Sequence, residues 1–330
     1  GEYIKQEGLQ LFCKCIPMAW EDIKKEVISR GLKSVSAVLN ILGNGKGCDS
    51  CKPGINYMLS ELYVNDYEYE DDACIVDDKY YANVQKDGTF SVVPRIYGGV
   101  TNPDQLRRIA DAADKYHVPL VKITGGQRID LVGISGDMLS SVWTDLGMPS
   151  GHAYTKAVRT CKTCVGETFC RFGVQDSMEL GIEMEQRYQG IPCPAKIKMA
   201  VSGCPRNCAE SGVKDIGVVG IHSGWEIYIG GNGGIKSKVA ELLTVVKTRE
   251  EVLDLTGIFI QYYRENARWL ERTSQFMERV GIEHIREVVI EDKLGIVDSL
   301  RNRINQVLAA YKDPWLNIQQ SYDKGHLISL

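Results

Sequence analysis

Two short stretches, Cys164-Val-Gly-Glu-Thr-Phe-Cys170 and Cys204-Pro-Arg-Asn-Cys208, decide how the second half of this sequence folds. Glycine and proline in and around both stretches favour irregular turns, so the four thiols are presented from loops. In a chain of 330 residues without a secretion signal, clustered cysteines bind metal more often than they form disulfides. Zinc ribbons use spacers of about two to four residues, whereas the Cys164–Cys170 spacer holds five, which favours a [4Fe–4S] cluster over zinc.

Four more of the eleven cysteines form the first cysteine set, nearer the N-terminus, so that Cys164, Cys170, Cys204 and Cys208 make up the second cysteine set. They are arranged as Cys13-x-Cys15 and Cys48-x-x-Cys51. Two helical segments separate the pairs, and a helix hairpin returns the chain close to its start, so the pairs can meet. Four thiolates suit either a [2Fe–2S] cluster or a tetrahedral zinc ion. The remaining cysteines are interpreted as ordinary thiols: Cys74, Cys161 and Cys193.

Composition and charge exclude several classes of protein. The net charge of −4 and the pI of about 5.9 argue against nucleic acid as a main partner, because phosphate binding needs surplus lysine and arginine. No apolar run approaches the roughly 18–20 residues that span a bilayer, so no membrane partner is expected, and the N-terminus shows no signal-peptide pattern. We therefore expect a cytoplasmic protein, and the start at Gly1 suggests a chain cut from a longer one.

The hydrophobic pattern predicts an α+β protein with a helical start. Helices are expected over Glu21–Arg30, over Val35–Leu42 and from Pro53, and an acidic linker around Tyr67–Asp78. Strands and a helix alternate afterwards, and a long helical region is expected from about Ser237 to Val280. The alternating elements are strands at Phe90–Ile96, Pro119–Thr124, Arg128–Ile134 and Trp225–Ile229, with a helix from Pro103 capped by Asn102.

Basic residues alternate with apolar ones along predicted strands. Lys196 and Lys198 flank Ile197, so both ammonium groups lie on one face of a strand. Lys122 and Arg128 stand on either side of a predicted Gly125-Gly126 turn. Each alone is most simply a solvated sheet face. Together with the cysteine motifs they indicate a site for anions.

The cysteine motifs in their contexts, Arg159-Thr-Cys-Lys-Thr-Cys164 and Val201-Ser-Gly-Cys204, resemble the nitrite and sulfite reductase family over about residues 90 to 290. The resemblance implies a [4Fe–4S] cluster bridged to siroheme through the last cysteine, Cys208. The cluster ligands implied are Cys164, Cys170, Cys204 and Cys208.

The same resemblance assigns roles to the basic residues. It implies that two arginines and a Lys-x-Lys pair surround the substrate and act in catalysis: Arg95, Arg159, Lys196 and Lys198. Lys122 matches a cation that faces siroheme. Many relatives have Asn-Arg where this chain has Gly125-Gly126, so we expect Arg128 to contact siroheme instead.

The first cysteine set resembles the bacterioferritin-associated-ferredoxin-like domain over about residues 11–63, which favours [2Fe–2S] on Cys13, Cys15, Cys48 and Cys51. The order of the two modules resembles that of large subunits of NAD(P)H-dependent nitrite reductases. We therefore expect five segments: a helical [2Fe–2S] domain at 1–63, an acidic linker at 64–83, a ferredoxin-like half-domain at 84–150, a siroheme and [4Fe–4S] α+β domain at 151–290 and a helical tail at 291–330.

This resemblance implies six-electron reduction of nitrite to ammonium at siroheme coupled to a [4Fe–4S] cluster. Because the chain shows no dinucleotide-binding motif, FAD and NAD(P)H are expected on a preceding flavin module or a separate flavoprotein. A small reductase subunit is a further expected partner. Three alternatives stay open: a sulfite reductase, a non-catalytic iron–sulfur electron carrier and a zinc-bound interaction protein.

Overall fold

The computed structural model describes residues 11–74 and 81–311. Its first part is a small helical unit that begins with a hairpin. The elements are β1 Leu11–Cys13, β2 Ile16–Ala19, α1 Trp20–Arg30, α2 Val35–Leu42 and α3 Cys51–Tyr63. Ser34 begins α2, because its hydroxyl accepts from the backbone N–H of Ala37 at 3.1 Å. The third helix begins at Cys51 rather than at Pro53, since proline is tolerated in a first helical turn.

A four-stranded antiparallel sheet follows, with the order β3-β4-β6-β5. Its strands are β3 Asn83–Val84, β4 Phe90–Val92, β5 Leu120–Ile123 and β6 Ile129–Ile134, and its helices are α4 Pro103–Lys115 and α5 Leu139–Leu146. The Asn102 side chain caps α4, as predicted. The strand predicted over Phe90–Ile96 ends at Val92, because Pro94 has no N–H for the ladder and forms only an isolated bridge with Ser150.

The largest layer is a five-stranded mixed sheet with the order β11-β10-β9-β8-β7. Its elements are β7 Val158–Thr163, α6 Gly166–Phe169, α7 Ser177–Tyr188, β8 Ile197–Ser202, β9 Ile216–Ile221, β10 Gly224–Ile229 and β11 Glu241–Val246. Strand β8 pairs in parallel with both β7 and β9. Because parallel strands end at the same edge, the loops after β7 and β8, which hold Cys164 and Cys204, leave the sheet side by side.

The region predicted as one long helix from Ser237 to Val280 is a strand followed by two helices, so this prediction is wrong in its first part. The Glu241–Val246 segment extends the sheet by pairing with β10. Helix α8, Arg249–Asn266, begins at a capping box in which Thr248 and Glu251 exchange hydrogen bonds. The chain then forms α9 Thr273–Val280, α10 Ile282–Val289 and α11 Val297–Ala310.

Three separate groups of buried side chains hold the described residues together: one in the helical unit, one under the four-stranded sheet and one around the five-stranded sheet. No helix within residues 11–74 and 81–311 is both long and apolar enough to cross a membrane. Part of the predicted acidic linker, residues 75–80, and residues 312–330 of the predicted tail lie outside the described residues.

Candidate functional site

The first cysteine set meets at one end of the helical unit. Cys13 ends β1, Cys15 lies in the hairpin turn, and Cys48 and Cys51 lie at the start of α3. The four sulfur atoms all lie within 4.8 Å of one another. Cys48 Sγ is 3.6 Å from Cys13 Sγ and 3.6 Å from Cys51 Sγ. Four converging thiols fit either a [2Fe–2S] cluster or a single tetrahedral ion.

Backbone hydrogen bonds prepare one of these thiols to ionise. N–H groups of Cys51 and Ser50 lower the pKa of Cys48 to about 7. Burial raises the pKa of Cys51 to about 12. Since the thiolate is the form that binds metal, Cys48 is the first ligand of the set available at neutral pH.

The second cysteine set lies on loops that pack backbone to backbone. Cys164 follows β7, and its Sγ accepts from the N–H of Gly203 at 3.1 Å. The C=O of Gly203 in turn accepts from Val174 at 2.9 Å, and Cys170 lies between these contacts along the chain. A Cβ on Gly203 would lie 2.8 Å from the carbonyl oxygen of Gln175, so the loops approach as closely as glycine allows.

The four sulfurs of the second set are spaced more widely than those of the first set. Among the described residues, only the first set brings three or more cysteine sulfurs within 4.8 Å of one another. A [4Fe–4S] cube binds each thiolate at a different iron, so its ligands need not share one ion. Cys204 is buried and Cys208 is exposed. Of the four, Cys208 is therefore the most accessible to a further ligand.

A cavity of about 550 Å³ opens beside the parallel strands. The Thr124–Gly126 turn, β7, the start of β8 and the loops before β9 and α9 all contribute to it. Its lining includes two carboxylates, Glu210 and Asp215, against seven basic side chains. These basic residues are Arg128, Arg159, Lys162, Lys196, Lys198, Lys214 and Arg272. The excess of positive charge suits a polyanionic ligand.

Two buried nitrogen donors of lining residues lack a hydrogen-bond acceptor within the described part of the chain. The Nε atoms of Arg128 and Arg272 are buried and have no hydrogen-bond partner among the described residues. Unpaired buried donors are costly, and carboxylates of a bound ligand would satisfy them. The cavity thus fits siroheme, which carries several carboxylates, by charge and by hydrogen bonding.

Four of the predicted site residues line this cavity: Arg128, Arg159, Lys196 and Lys198. Burial, with help from Arg159, lowers the pKa of Lys196 to about 8, and it also lowers the pKa of Lys198. Burial and the nearby Arg95 lower the pKa of Arg128 to about 9. These basic groups lie close together and are partly shielded from water, so their protonated, charged forms are disfavoured. A bound anion would favour the charged forms again.

Arg95 does not line the cavity beside them. Its side chain is fully buried, its Nη1 lies 2.7 Å from Oε1 of Glu185, and its Nη2 lies 2.6 Å from Nδ1 of His152. Its guanidinium also donates to the backbone oxygen of Arg159. A buried carboxylate needs such a partner, so Glu185 draws Arg95 into the interior. A catalytic role for Arg95 stays a prediction.

Lys122 is also absent from the cavity lining. It lies in β5, where all four residues are exposed, while Thr124 beyond the strand end reaches the cavity. Its contact with siroheme stays a prediction.

Three basic residues of the lining escaped the sequence prediction: Lys162, Lys214 and Arg272. Lys162 could have been predicted, because it lies on the same face of β7 as Thr160, on the other side of the buried Cys161. Arg272 lies far along the chain and reaches the cavity through Asp215, whose two carboxylate oxygens are 2.8 and 2.9 Å from Nη2. No local pattern marks such a residue.

Three family models match the chain. They are the nitrite and sulphite reductase 4Fe-4S domain over residues 154–297, the nitrite/sulfite reductase ferredoxin-like half domain over 83–148 and the BFD-like [2Fe-2S] binding domain over 11–61. A structure of the Mycobacterium tuberculosis NirA protein shares the fold, with a TM-score of 0.59 and 17% identity over 81% of this chain and 54% of that one.

Curated relatives match most of the chain. A nitrite reductase [NAD(P)H] of Bacillus subtilis is 52% identical over 93% of this chain, and the NADH nitrite reductase large subunit of Escherichia coli is 36% identical over 94%. The chain spans only 38% of the length of each. An assimilatory-type sulfite reductase of Nitratidesulfovibrio vulgaris is 38% identical over 65% of this chain and 99% of its own length. On these matches and on the two cysteine sites, the chain belongs to the nitrite and sulfite reductase family and combines its [4Fe–4S] domain with a BFD-like [2Fe–2S] domain.

Proposed function

We propose that this chain carries the catalytic centre that reduces nitrite to ammonium, with electrons that originate from NAD(P)H. The observation that carries the proposal is the cavity lined by seven basic side chains, whose lining residues Lys162 and Glu210 lie two residues from Cys164 and from Cys208 along the chain. The reaction consumes an anion, six electrons and eight protons, so its site needs fixed positive charge and nearby proton donors.

The residues that would hold siroheme can be named from the lining. Arg128 and Arg272, with their unpaired Nε atoms, are suited to its carboxylates. Cys208 is exposed and lies two residues before the cavity-lining Glu210, so its sulfur is suited to the iron. Siroheme bound there would supply electrons to nitrite, while the chain supplies charge and protons.

Lys196, Lys198 and Arg159 are suited to act on the substrate itself. All three are basic and line one cavity, so they can neutralise a bound anion and hold it in place. The pKa of Lys196, lowered to about 8 by burial, lies near neutral pH. Its Nζ can therefore lose a proton and regain it from water during turnover.

Nitrite is favoured over sulfite because several relatives named nitrite reductases match nearly the whole chain, helical unit included, whereas the sulfite reductase matches 65% of it. Their names also support NAD(P)H as the source of electrons, through a flavin module or flavoprotein. We place the reaction in the cytoplasm, where NAD(P)H is available. Sulfite reduction is the second candidate, because a sulfite reductase matches this chain over almost its own full length.

The test is turnover by chain purified without oxygen, with reduced methyl viologen as electron donor and nitrite or sulfite as substrate. We expect siroheme and iron–sulfur absorption bands and faster turnover of nitrite. Lys196→Ala and Lys198→Ala should keep the siroheme bands and lower nitrite turnover by about 100-fold or more. Lys236→Ala, an exposed lysine outside the cavity, is the matched control.

Two outcomes would contradict the proposal. Preparations with both clusters and siroheme that turn over only sulfite would favour the second candidate. Normal nitrite turnover by Lys196→Ala or Lys198→Ala would remove these lysines from the reaction.

A further inference from the structure

The helical unit packs against the segment that leads into the cavity. Tyr57 of α3 stacks on Trp269, with ring centroids 5.6 Å apart and planes 28° apart. The Tyr57 hydroxyl donates to the backbone oxygen of Arg264, at the end of α8, over 2.7 Å. Tyr57 is buried, and Trp269, itself half-buried, packs against the core of the helical unit.

Glycine at position 54 allows a closer approach still. A Cβ there would lie 3.1 Å from Cδ1 of Trp269 and 2.8 Å from Cζ of Phe12. Gly54 comes three residues after Cys51, a ligand of the first cysteine site. The indole therefore packs directly on the helical turn that carries this ligand.

On its other side, the same segment contacts the cavity. The N–H of Leu270 donates to the backbone oxygen of Pro194 at 3.0 Å, two residues before Lys196. Arg272 lines the cavity and is held there by Asp215. Only two residues, Leu270 and Glu271, thus lie between the tryptophan that contacts the helical unit and the arginine that lines the cavity.

Polar contacts at the edge hold this arrangement in register. Arg268 Nε lies 2.8 Å from a carboxylate oxygen of Glu21, and Lys24 donates to the backbone oxygen of Glu265 at 3.0 Å. The Arg268 pair is largely exposed, so it contributes little energy by itself.

We propose that the segment 268–272 is the bridge by which electrons pass from the first cysteine site to the cavity, and that Trp269 is the residue that positions it. The inference rests on the proposed function. One electron leaves the reduced [2Fe–2S] cluster and one arrives at the redox group in the cavity, and no bond forms or breaks. The electrons come from an NAD(P)H-fed flavin donor, or from dithionite in the test. Electron tunnelling weakens steeply with distance and with gaps in packing. The Gly54–Trp269 contact should therefore control the rate of electron transfer from the first cysteine site to the cavity.

The test compares Trp269→Ala and Trp269→Phe in the chain loaded with its clusters and siroheme. The chain is reduced with dithionite and mixed with nitrite, and reoxidation of the [2Fe–2S] cluster is followed by freeze-quench EPR. We expect Trp269→Ala to slow this step by about tenfold or more and Trp269→Phe to restore most of the rate. Nitrite turnover driven by methyl viologen, which is small enough to enter the cavity directly, should stay within about twofold of the unsubstituted chain.

Glu21→Ala is the matched control, because it removes the partner of Arg268 from the exposed edge of the same contact and lies outside the segment 268–272. We expect it to leave reoxidation within about twofold. Hydrogen exchange in the peptide 51–63 gives a readout independent of activity, and it should rise in Trp269→Ala alone. Trp269→Leu, which keeps an apolar side chain, replaces the alanine variant if that variant does not fold.

Reoxidation of the [2Fe–2S] cluster at the unsubstituted rate in Trp269→Ala would overturn the bridge. So would an equal loss of transfer and of viologen-driven turnover, since the defect would then lie in the cavity. Failure of the unsubstituted chain to reduce nitrite with viologen would instead contradict the proposed function.

Discussion

Lys196 lies where burial and neighbouring cations both disfavour its charge. Its pKa is lowered to about 8, first by burial and then by Arg159, Arg272 and Lys198. An amine with a lowered pKa is neutral, and so nucleophilic, at a lower pH than an ordinary lysine. In the chain without siroheme, we expect labelling of Lys196 by acetic anhydride to reach half of its maximal rate near pH 8, as measured by peptide mass spectrometry. A half-point above pH 10 would contradict this prediction.

The residue scale also shows how far the sequence alone could predict the site. Strand alternation predicts that Lys196 and Lys198 share one face, and the family resemblance around the cysteine motif predicts Arg159 as a site residue. The buried position of Arg95 could not be predicted, since it depends on Glu185, ninety residues further along the chain. Arg272 was missed for the same reason, because Asp215 holds it in the cavity.

Helix α7 joins the two sheets through a single carboxylate. Glu185 is fully buried and accepts from Arg95, from the N–H of Gly98 at 3.0 Å and from the N–H of Cys161 at 3.1 Å. Glu185→Gln would leave the Arg95 charge without its partner. We expect the free energy of unfolding to fall by about 3 kcal/mol or more, measured by urea denaturation.

The matched control for that measurement lies on the same helix. Glu179 is exposed and pairs with Arg249, so Glu179→Gln should change the free energy of unfolding by about 1 kcal/mol or less. If both substitutions lowered the free energy of unfolding equally, the buried Arg95–Glu185 pair would contribute no more stability than the exposed pair.

The loops of the second cysteine set have no room for a side chain at Gly203. A Cβ there would lie 2.8 Å from the backbone oxygen of Gln175 and 3.0 Å from Cα of Gly166, and neither backbone atom can move freely. We expect Gly203→Ala to lose most of the [4Fe–4S] EPR signal while the [2Fe–2S] signal remains as an internal control. A full signal from both clusters would contradict this account of the loops.

At the scale of elements, the sequence predicted those with a strong local pattern. The predicted bounds of helices α1 and α2 and the predicted start of α4 agree with the structure within one residue. Apolar spacing and capping residues act locally, so these bounds can be predicted from the sequence. Strand β11 was mistaken for helix, because its extended form depends on pairing with β10, which is encoded elsewhere in the chain. The α+β class was predicted correctly, since it depends on the order of elements and not on each one.

For the whole molecule, the two cysteine sites should be separable. The first set packs in the hydrophobic core of the helical unit, no cysteine of the second set belongs to that core, and the two sets share no residue. We expect Cys48→Ser to remove the [2Fe–2S] signal and to retain nitrite turnover driven by methyl viologen. Cys74→Ser, which changes a thiol outside both sites, should leave both signals intact. Loss of viologen-driven turnover in Cys48→Ser would show that the second site depends on the first.

Strand β8 starts between the two lysines of the cavity, Lys196 and Lys198, and ends at Ser202, two residues before Cys204. It is paired on both sides, so its residues cannot slide independently of the sheet. Inserting or deleting one residue between Lys198 and Ser202 would therefore turn the lysines to the opposite face or shift the cysteine loop along the sheet. The length of strand β8 therefore fixes the distance between the lysines that act on substrate and the loop that binds the cluster. A change in this length during evolution would require compensating changes at both ends of the strand.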